Sequence, residues 1–174
     1  PHFEELVREL KTTFGPLGVN LSVPSLRVNE QLRSIAELIG NARRSSLTLA
    51  PEGARDDMRE QIRKKIKNED LYEGCRTAFR NNYESVKLYF LCGLPGERPV
   101  DLDGILDMAE TIARIGKEER GRYATVTASV SNFVPKAHTP YQWNAMQTRE
   151  YFDAVHRHLR RGSQRRAGQV QGHG

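Results

Sequence analysis

The chain has few of the residues that mark several special classes of protein. Its 174 residues include two cysteines and one tryptophan, which excludes a dense disulfide framework or a cysteine-rich metal scaffold. No run approaches the roughly 18 consecutive apolar residues of a membrane-spanning helix. The N-terminal PHFEELVREL also lacks the apolar core of a signal peptide. We therefore expect a globular, cytoplasmic protein with reduced thiols and no membrane partner.

Acidic residues are absent from the end of the chain. The last one is Asp153, and five arginines follow it. Residues before 157 carry equal numbers of basic and acidic side chains, so the net charge of +5 arises in this last segment. We predict a body at residues 1–160 and a flexible basic tail at 161–174. Contacts between the tail and phosphates would make the chain an RNA-binding module, which is one alternative function.

Apolar strands alternate with amphipathic helices along the body. We predict helices at 3–14, from Asn29 to 40, 55–66, 69–81, 101–115 and 148–160, and strands at 19–23, 46–50, 86–92 and 125–133. Strands separated by helices of this length indicate an α/β fold with a parallel sheet. Both an open doubly wound sheet and part of a (β/α) barrel fit this order. In either architecture, functional sites lie at the carboxyl ends of the strands.

Charged or imidazole side chains follow the predicted strands, and their clustering favours an active site at that edge. A turn needs proline and glycine for its backbone, but it does not need charges. Gly93 and Gly96, with Arg27, also permit a second alternative, a non-radical α/β enzyme that binds a phosphorylated small molecule. The residues that would share the edge are Arg27, Glu52, Glu97, Lys136 and His138.

Four segments resemble motifs of radical S-adenosylmethionine enzymes. KLYFLCGLPGE resembles the fifth-strand motif of the family, and SLTLAPEGARDDMREQIRKKI is similar to the preceding unit. SVSNFVPKAHTPYQW and VNLSVPSLRVN resemble segments of the bacterial Fe–S oxidoreductases that carry a cobalamin-binding-like N-terminal domain. The resemblance covers about residues 15 to 145, with the four motifs in the family's order.

The resemblance implies a C-terminal portion of a partial (β/α) barrel, with about four parallel strands in an open sheet. It also implies that the intact enzyme cleaves S-adenosylmethionine reductively at a [4Fe–4S] cluster to make a 5′-deoxyadenosyl radical, and it introduces cobalamin as a further candidate cofactor. The family's C-x3-C-x2-C cluster loop is missing here, because Cys75 and Cys92 are far apart. We therefore expect the loop upstream of Pro1, and we expect this chain alone to be inactive.

The resemblance also assigns residues to the cofactor and to a substrate of unspecified class. It implies that the carboxylate of Glu52 binds the ribose diol and that Lys64 pairs with the methionyl carboxylate. The commoner fifth-strand pattern has glycine and an acid where this chain has Tyr89 and Gly96, which weakens the adenine assignment. Gly93 and Pro95 would shape the loop beside the adenine, Leu91 and Leu94 would contact it, and Ser25, Arg27, Lys136 and His138 would face the substrate.

A barrel cut in this way would leave one edge of its sheet unpaired. Unpaired edges are templates for strand addition by another chain. We therefore expect a homodimer through the exposed sheet edge as a possible assembly of the isolated chain.

Overall fold

The computed structural model describes residues 3–19 and 46–171 of the chain. Residues 20–23 of the first predicted strand and the helix predicted from Asn29 lie outside the described residues. The described helices are α1 (Phe3–Phe14), which a 3-10 turn (Gly15–Leu17) follows, α2 (Asp56–Gln61), α3 (Asn68–Arg80), α4 (Pro99–Arg120) and α5 (Arg149–Gln171). The described strands are β1 (Leu47–Glu52), β2 (Ser85–Cys92) and β3 (Thr125–Asn132).

The three described strands form one parallel sheet in the order β1-β2-β3. Leu49 of β1 pairs with Leu88 of β2, and Leu88 pairs with Ala128 of β3. A bulge follows Leu49, and pairing resumes with Glu52 opposite Phe90. The structure confirms the predicted α/β class, with an open parallel sheet and flanking helices. It also places the strands predicted at 46–50, 86–92 and 125–133 to within two residues.

The long helices between the strands make this parallel arrangement possible, because a parallel connection has to return across the sheet. Helix α4 begins at Pro99, whose ring fixes a helical φ and whose missing N–H is not needed in a first turn. The backbone N–H of Arg98 donates to the Asp101 carboxylate at 2.8 Å, which caps the same helix end. Gly121, at φ 74°, ends α4 in the left-handed region.

Helices α3, α4 and α5 share one hydrophobic core with one face of the sheet. Leu49 of β1 and Leu88 of β2 belong to this core and are fully buried. The side chains that alternate with them on the other face, such as Thr48, Lys87 and Tyr89, are only half-buried. The described helices contribute to that core through Leu71, Cys75, Ala78, Phe79, Leu102, Ile105, Met108, Ile112, Ile115, Phe152, Val155 and Leu159. The described helical layer therefore covers one face of the parallel sheet.

Three helices differ in length from the prediction. The helix predicted over 101–115 extends from Pro99 to Arg120. The helix predicted over 55–66 ends at Gln61, because Arg63 adopts a left-handed φ of 56°. The helix predicted over 148–160 continues to Gln171, so residues 161–171 of the predicted flexible tail are helical. The extension is held against α4, where Arg166 Nη2 lies 2.7 Å from Asp107 and Arg166 Nη1 lies 3.0 Å from Glu110.

The packing of α5 against α4 also explains Gly162. A Cβ at this position would lie 2.3 Å from Leu106 Cδ1, so a larger residue here would require the Leu106 side chain to shift. Among residues 3–19 and 46–171, no helix combines the length and the apolar character that crossing a membrane requires.

Candidate functional site

The carboxyl ends of β1, β2 and β3 bring several of the predicted site residues to one edge of the sheet. Glu52 ends β1, Gly93 follows β2 directly, and Phe133 follows β3. The backbone N–H of Phe133 donates to the carbonyl of Cys92 at 2.8 Å, so the ends of β2 and β3 stay level. Parallel strands place these ends side by side, and the predicted location of the site at this edge follows from that geometry.

Glu52 and Lys64, the two residues with the most specific predicted roles, are direct partners. Lys64 Nζ donates a hydrogen bond to Glu52 Oε1 at 3.1 Å, and both side chains are close to 30% exposed. Glu52 has a left-handed φ of 65°, which is uncommon for a residue with a Cβ. The charged pair is therefore open to solvent on a turn with an unusual backbone conformation.

Arg59 fixes the turn that carries Glu52, and sequence reasoning missed it. Its side chain is fully buried. Nη1 donates to the carbonyl of Gly53 and Nε to the carbonyl of Ile66, both at 2.7 Å, while Nη2 bonds the side chains of Asp56 and Asn68. Burial lowers the pKa of Arg59, and the bond to Asp56 opposes that shift. A buried guanidinium with this many acceptors holds the end of β1 against the segment that carries Lys64.

The loop after β2 is organised around the carboxylate of Glu97. Glu97 Oε2 accepts a hydrogen bond from the backbone N–H of Gly93 at 2.9 Å and another from the hydroxyl of Tyr151. Burial, followed by the bond to Glu97, raises the pKa of Tyr151, so the phenol stays protonated and donates. The Gly93 amide, predicted to approach a ligand, is thus bonded to a carboxylate of its own loop.

Gly93 itself is required by packing as well as by its backbone angle. Its φ is 82°, and a Cβ there would lie 2.7 Å from Phe152 Cε1. Gly96, at φ 77°, lies beside the side chain of Gln61, which also donates to the carbonyl of Pro95. Backbone angle and packing therefore explain why glycine occupies both positions of the GLPG loop, without a ligand.

A small second core closes the edge of the sheet between these loops. It consists of Met58, Leu94 and Phe133, with Leu91 and Tyr141 packed against it. The rings of Phe133 and Tyr141 meet edge to face at 5.4 Å between centroids. Leu94 is 2% exposed and lies inside this cluster, whereas Leu91 is half-buried at its border.

A cleft of about 480 Å³ opens beside this second core. Apolar and polar side chains line it, as is usual for sites that take small molecules: Leu91, Asn132, Phe133, Val134, Lys136, Thr139 and Tyr141. The cleft thus brings together Leu91, predicted to contact adenine, and Lys136, predicted to face a substrate. Its volume lies within the range of small-molecule pockets, which is about 300–1,000 Å³.

His138 is exposed on the loop that borders this cleft. It has a left-handed φ of 61°, and its backbone N–H lies 3.3 Å from Gln142 Oε1. Ser25 and Arg27, the other two predicted substrate-facing residues, lie outside the described residues. The structure therefore brings Glu52, Lys64 and the cleft to one edge, and places His138 on the loop that borders the cleft.

Sequence reasoning had little chance of finding the roles of Arg59 and Tyr151. The one signal for Arg59 is Asp56, three positions earlier on the same helix, but surface ion pairs have this spacing too. Tyr151 reaches Glu97 from a helix more than fifty positions away in sequence. Long-range contacts of this kind have no local signature.

Neither cysteine of the chain is placed as a metal ligand. Cys75 is fully buried, and burial raises its pKa to about 12. Cys92 is also fully buried, and burial raises its pKa to about 11. Within residues 3–19 and 46–171, no group of three or more His, Cys, Asp or Glu side chains is arranged to hold a metal ion. The residues present therefore do not fit an iron–sulfur cluster.

Comparisons with known proteins find a related sequence but assign no activity to the chain. No protein-family model matches the chain. An uncharacterized protein of Methanocaldococcus jannaschii is 30% identical over 134 residues, which is 77% of this chain. The match takes in 28% of the relative's own length, so the chain spans under a third of that protein. The name of the relative states no activity, so the similarity in sequence gives no function for this chain.

Proposed function

We propose that the chain is part of the partial (β/α) barrel of a radical S-adenosylmethionine Fe–S oxidoreductase, of the subfamily with a cobalamin-binding-like domain. A fourth parallel strand, at residues 19–23, belongs to the same proposal. The observation that carries it is the Glu52–Lys64 pair at the carboxyl edge of the sheet. The resemblance assigns these two side chains to two polar groups of one cofactor, and they lie within direct reach of each other.

The chemistry of the two side chains fits S-adenosylmethionine. A carboxylate accepts hydrogen bonds from both hydroxyls of a ribose diol, and an ammonium group pairs with a methionyl carboxylate. Binding in this way would separate Glu52 from Lys64. Glu52 would exchange its charged partner for the neutral diol, and Lys64 would exchange one carboxylate for another. Their partial exposure keeps the cost of separating them small.

The layering of the sheet also supports a barrel. In a (β/α) barrel every helix lies on the outer face, and the inner face belongs to the interior of the barrel. Of the helices in residues 46–171, α3, α4 and α5 share their core with one face, while Tyr89 on the other face is half-buried and Leu91 packs against the small second core. A doubly wound sheet would have helices on both faces.

The cluster would be bound by other parts of the intact enzyme, since the cysteines of this chain do not fit it. When bound together, the cluster and S-adenosylmethionine supply hydrogen-atom abstraction by a 5′-deoxyadenosyl radical. The residues described here would bind and orient the ribose and the methionyl carboxylate. The cleft beside Leu91 and Lys136 would form part of the wall between cofactor and substrate.

The alternative phosphate site at Gly93 and Gly96 has less support. The amide of Gly93 donates to the Glu97 carboxylate, so an anionic phosphate would meet a negative charge at the place where the alternative needs donors. The radical family therefore accounts for more of the observed geometry.

Two experiments test the proposal. The first determines the coding sequence upstream of Pro1, where the proposal requires a C-x3-C-x2-C segment. The second purifies the product of the complete reading frame anaerobically, reduces it with dithionite, and measures 5′-deoxyadenosine by mass spectrometry. Loss of a hydrogen bond to a charged group is worth about 1.5–3 kcal/mol, so Glu52→Gln should lower the yield about ten-fold or more.

Glu60→Gln is the matched control for the second experiment. Glu60 is 67% exposed and pairs with Lys67, and its replacement by Gln removes the same charge from an ion pair that has no assigned role in the cofactor site. Its yield should equal that of the wild type. Absence of 5′-deoxyadenosine from a wild-type protein that contains the cluster would refute the proposal, and equal losses in both variants would remove Glu52 from the cofactor site.

A further inference from the structure

The side chain of Asn132, the last residue of β3, is oriented by two groups from other elements. Cys92 Sγ, at the end of β2, donates to Asn132 Oδ1 at 3.6 Å, and His156 Nε2 of α5 lies 2.9 Å from the same oxygen. Burial raises the pKa of Cys92 to about 11, so the thiol keeps its proton and acts as the donor. Because the amide oxygen faces these groups, the NH2 group of Asn132 points away from them.

Asn132 also lines the cleft of about 480 Å³ described above, together with Lys136. Among the residues that the structure describes, neither Asn132 Nδ2 nor Lys136 Nζ has a hydrogen-bond or ion-pair partner. The hydroxyl protons in the lining are already engaged. Thr139 Oγ1 donates to the carbonyl of Lys136 at 2.7 Å. Tyr141 Oη donates to the carbonyl of Gln61 at 3.4 Å. The cleft therefore offers one ammonium group and one amide as free donors.

The rest of the lining is apolar. Leu91, Phe133 and the ring of Tyr141 belong to the second core or pack against it, and Val134 is 49% exposed. No Asp or Glu is among the described residues that line the cleft. Apolar walls, free donors and no negative charge together suit a ligand that has an apolar body and anionic oxygen atoms.

We propose that this cleft binds a small apolar carboxylic acid, with Lys136 Nζ paired to the carboxylate and Asn132 Nδ2 donating to it. One ammonium and one amide match the single charge and the two oxygens of a carboxylate. A phosphate group carries up to two charges and has three acceptor oxygens, so it would leave part of its charge without a partner here. That the acid is the substrate rests on the proposed function, whereas its binding rests on the cleft alone.

The test measures binding of para-trifluoromethylbenzoate to the full chain by fluorine NMR, without iron or S-adenosylmethionine. The usual affinity per atom of small ligands predicts a Kd of about 1 mM or tighter for a molecule of this size. The neutral para-trifluoromethylbenzamide should bind about ten-fold more weakly, because it lacks the charge that Lys136 pairs with. Equal affinities for the two ligands, or tighter binding of para-trifluoromethylphenyl phosphate, would overturn the proposal.

Replacing Lys136 tests the ammonium group. Lys136→Gln should weaken binding of the benzoate about ten-fold and leave binding of the benzamide nearly unchanged. Lys117→Gln is the matched control, because Lys117 is exposed and its Nζ lies over the ring of Tyr123, which precedes β3 at the opposite edge of the sheet. This control should bind both ligands like the wild type. Equal loss of benzoate binding in the two variants would refute the pairing with Lys136.

Replacing Asn132 tests the amide donor. Asn132→Asp keeps the shape of the side chain but exchanges the donor for a negative charge. The variant should bind the benzoate at least ten-fold more weakly, since two carboxylates would face each other. The benzamide should be retained, because its own NH2 group can donate to the new carboxylate. Unchanged binding of the benzoate would overturn the assignment of Asn132.

The outcomes of this test and of the proposed function can be told apart. The binding measurement needs neither the cluster nor S-adenosylmethionine, and the measurement of 5′-deoxyadenosine needs no benzoate. Absence of benzoate binding would refute the carboxylate site and leave the radical chemistry untouched. Absence of 5′-deoxyadenosine, with the benzoate still bound, would refute the radical chemistry and leave the carboxylate site.

Discussion

Lys64 Nζ and Glu52 Oε1 lie 3.1 Å apart, and this contact joins the end of β1 to the segment that follows α2. The two side chains are half-buried rather than enclosed, so they are stable as a pair and still within reach of a ligand. Ion pairs with this exposure contribute little to folding. Their proximity therefore says more about what the edge of the sheet can bind than about what stabilises it.

Replacing Glu52 by Gln should leave the stability of the chain nearly unchanged. The amide keeps the size of the side chain, and the lost ion pair is worth less than about 1 kcal/mol. The measurement is urea unfolding followed by circular dichroism. A loss of several kcal/mol would mean that Glu52 is mainly structural, and it would remove the basis for interpreting the activity of this variant.

Replacing Arg59 by Met should destabilise the chain by about 3–5 kcal/mol. The change removes one partner of a buried charged network and leaves the carbonyls of Gly53 and Ile66 without a donor. Lys65→Met is the control, because Lys65 is exposed and the same charge is lost. Urea unfolding of both variants provides the comparison, and similar effects in the two would contradict the role of Arg59.

Replacing Gly93 by Ala should cost more than replacing Gly121 by Ala. Both residues have a left-handed φ, at 82° and 74°, so both variants incur similar backbone strain. Only at Gly93 would the new Cβ clash, with Phe152, and overpacking adds about 1–3 kcal/mol. Thermal unfolding of both variants separates the cost of backbone strain from the cost of the clash. Equal losses of stability in the two variants would show that Phe152 moves aside at little cost.

The stability of the chain should fall as the pH rises from about 9 to about 11. Burial raises the pKa of Cys92 from 9.0 to about 11, so the folded state keeps a proton that the unfolded state loses. The contribution of the Cys92 proton to the free energy of unfolding is fully present below pH 9 and decreases between about pH 9 and 11. Cys92→Ala should reduce the decrease in urea midpoints, although Cys75 and Tyr151, whose pKa values are also raised, preserve part of it.

A thiol reagent provides the check on this interpretation. Cys92 in the native chain should react far more slowly with an aromatic disulfide at pH 8 than it does in urea, because it is buried and protonated. Similar rates in the two conditions would contradict a buried thiol and would leave the alkaline transition without this cause.

The sheet could be predicted from sequence because its signals are local. VKLYFLC is an apolar run of strand length that ends at a glycine, and the intervening helices have clear apolar stripes. The ends of α2 and α5 could not be predicted in this way. Arg63 ends α2 early through its backbone angle, and the Arg166 pairs that extend α5 involve residues of another helix.

The location of the candidate site could be predicted from the sequence, but the contacts of its side chains could not. Chain order placed Glu52, Gly93 and Lys136 at one edge, since parallel strands end on the same side. The contacts of Gly93 with Glu97 and Phe152 depend on how α5 packs, and a motif read as a ligand loop gave no sign of them. Position in a parallel sheet is therefore easier to infer than the partner of each side chain.

The order of the strands in the sheet is the same as their order in the chain. Each strand and the helices before it therefore add to an edge that earlier residues have already formed. Each new strand pairs with the strand before it, about 40 residues earlier in the chain, rather than with a more distant one, which limits the entropy of loop closure at each step. Folding of this part of the molecule can thus proceed in the direction of synthesis, one βα unit after another.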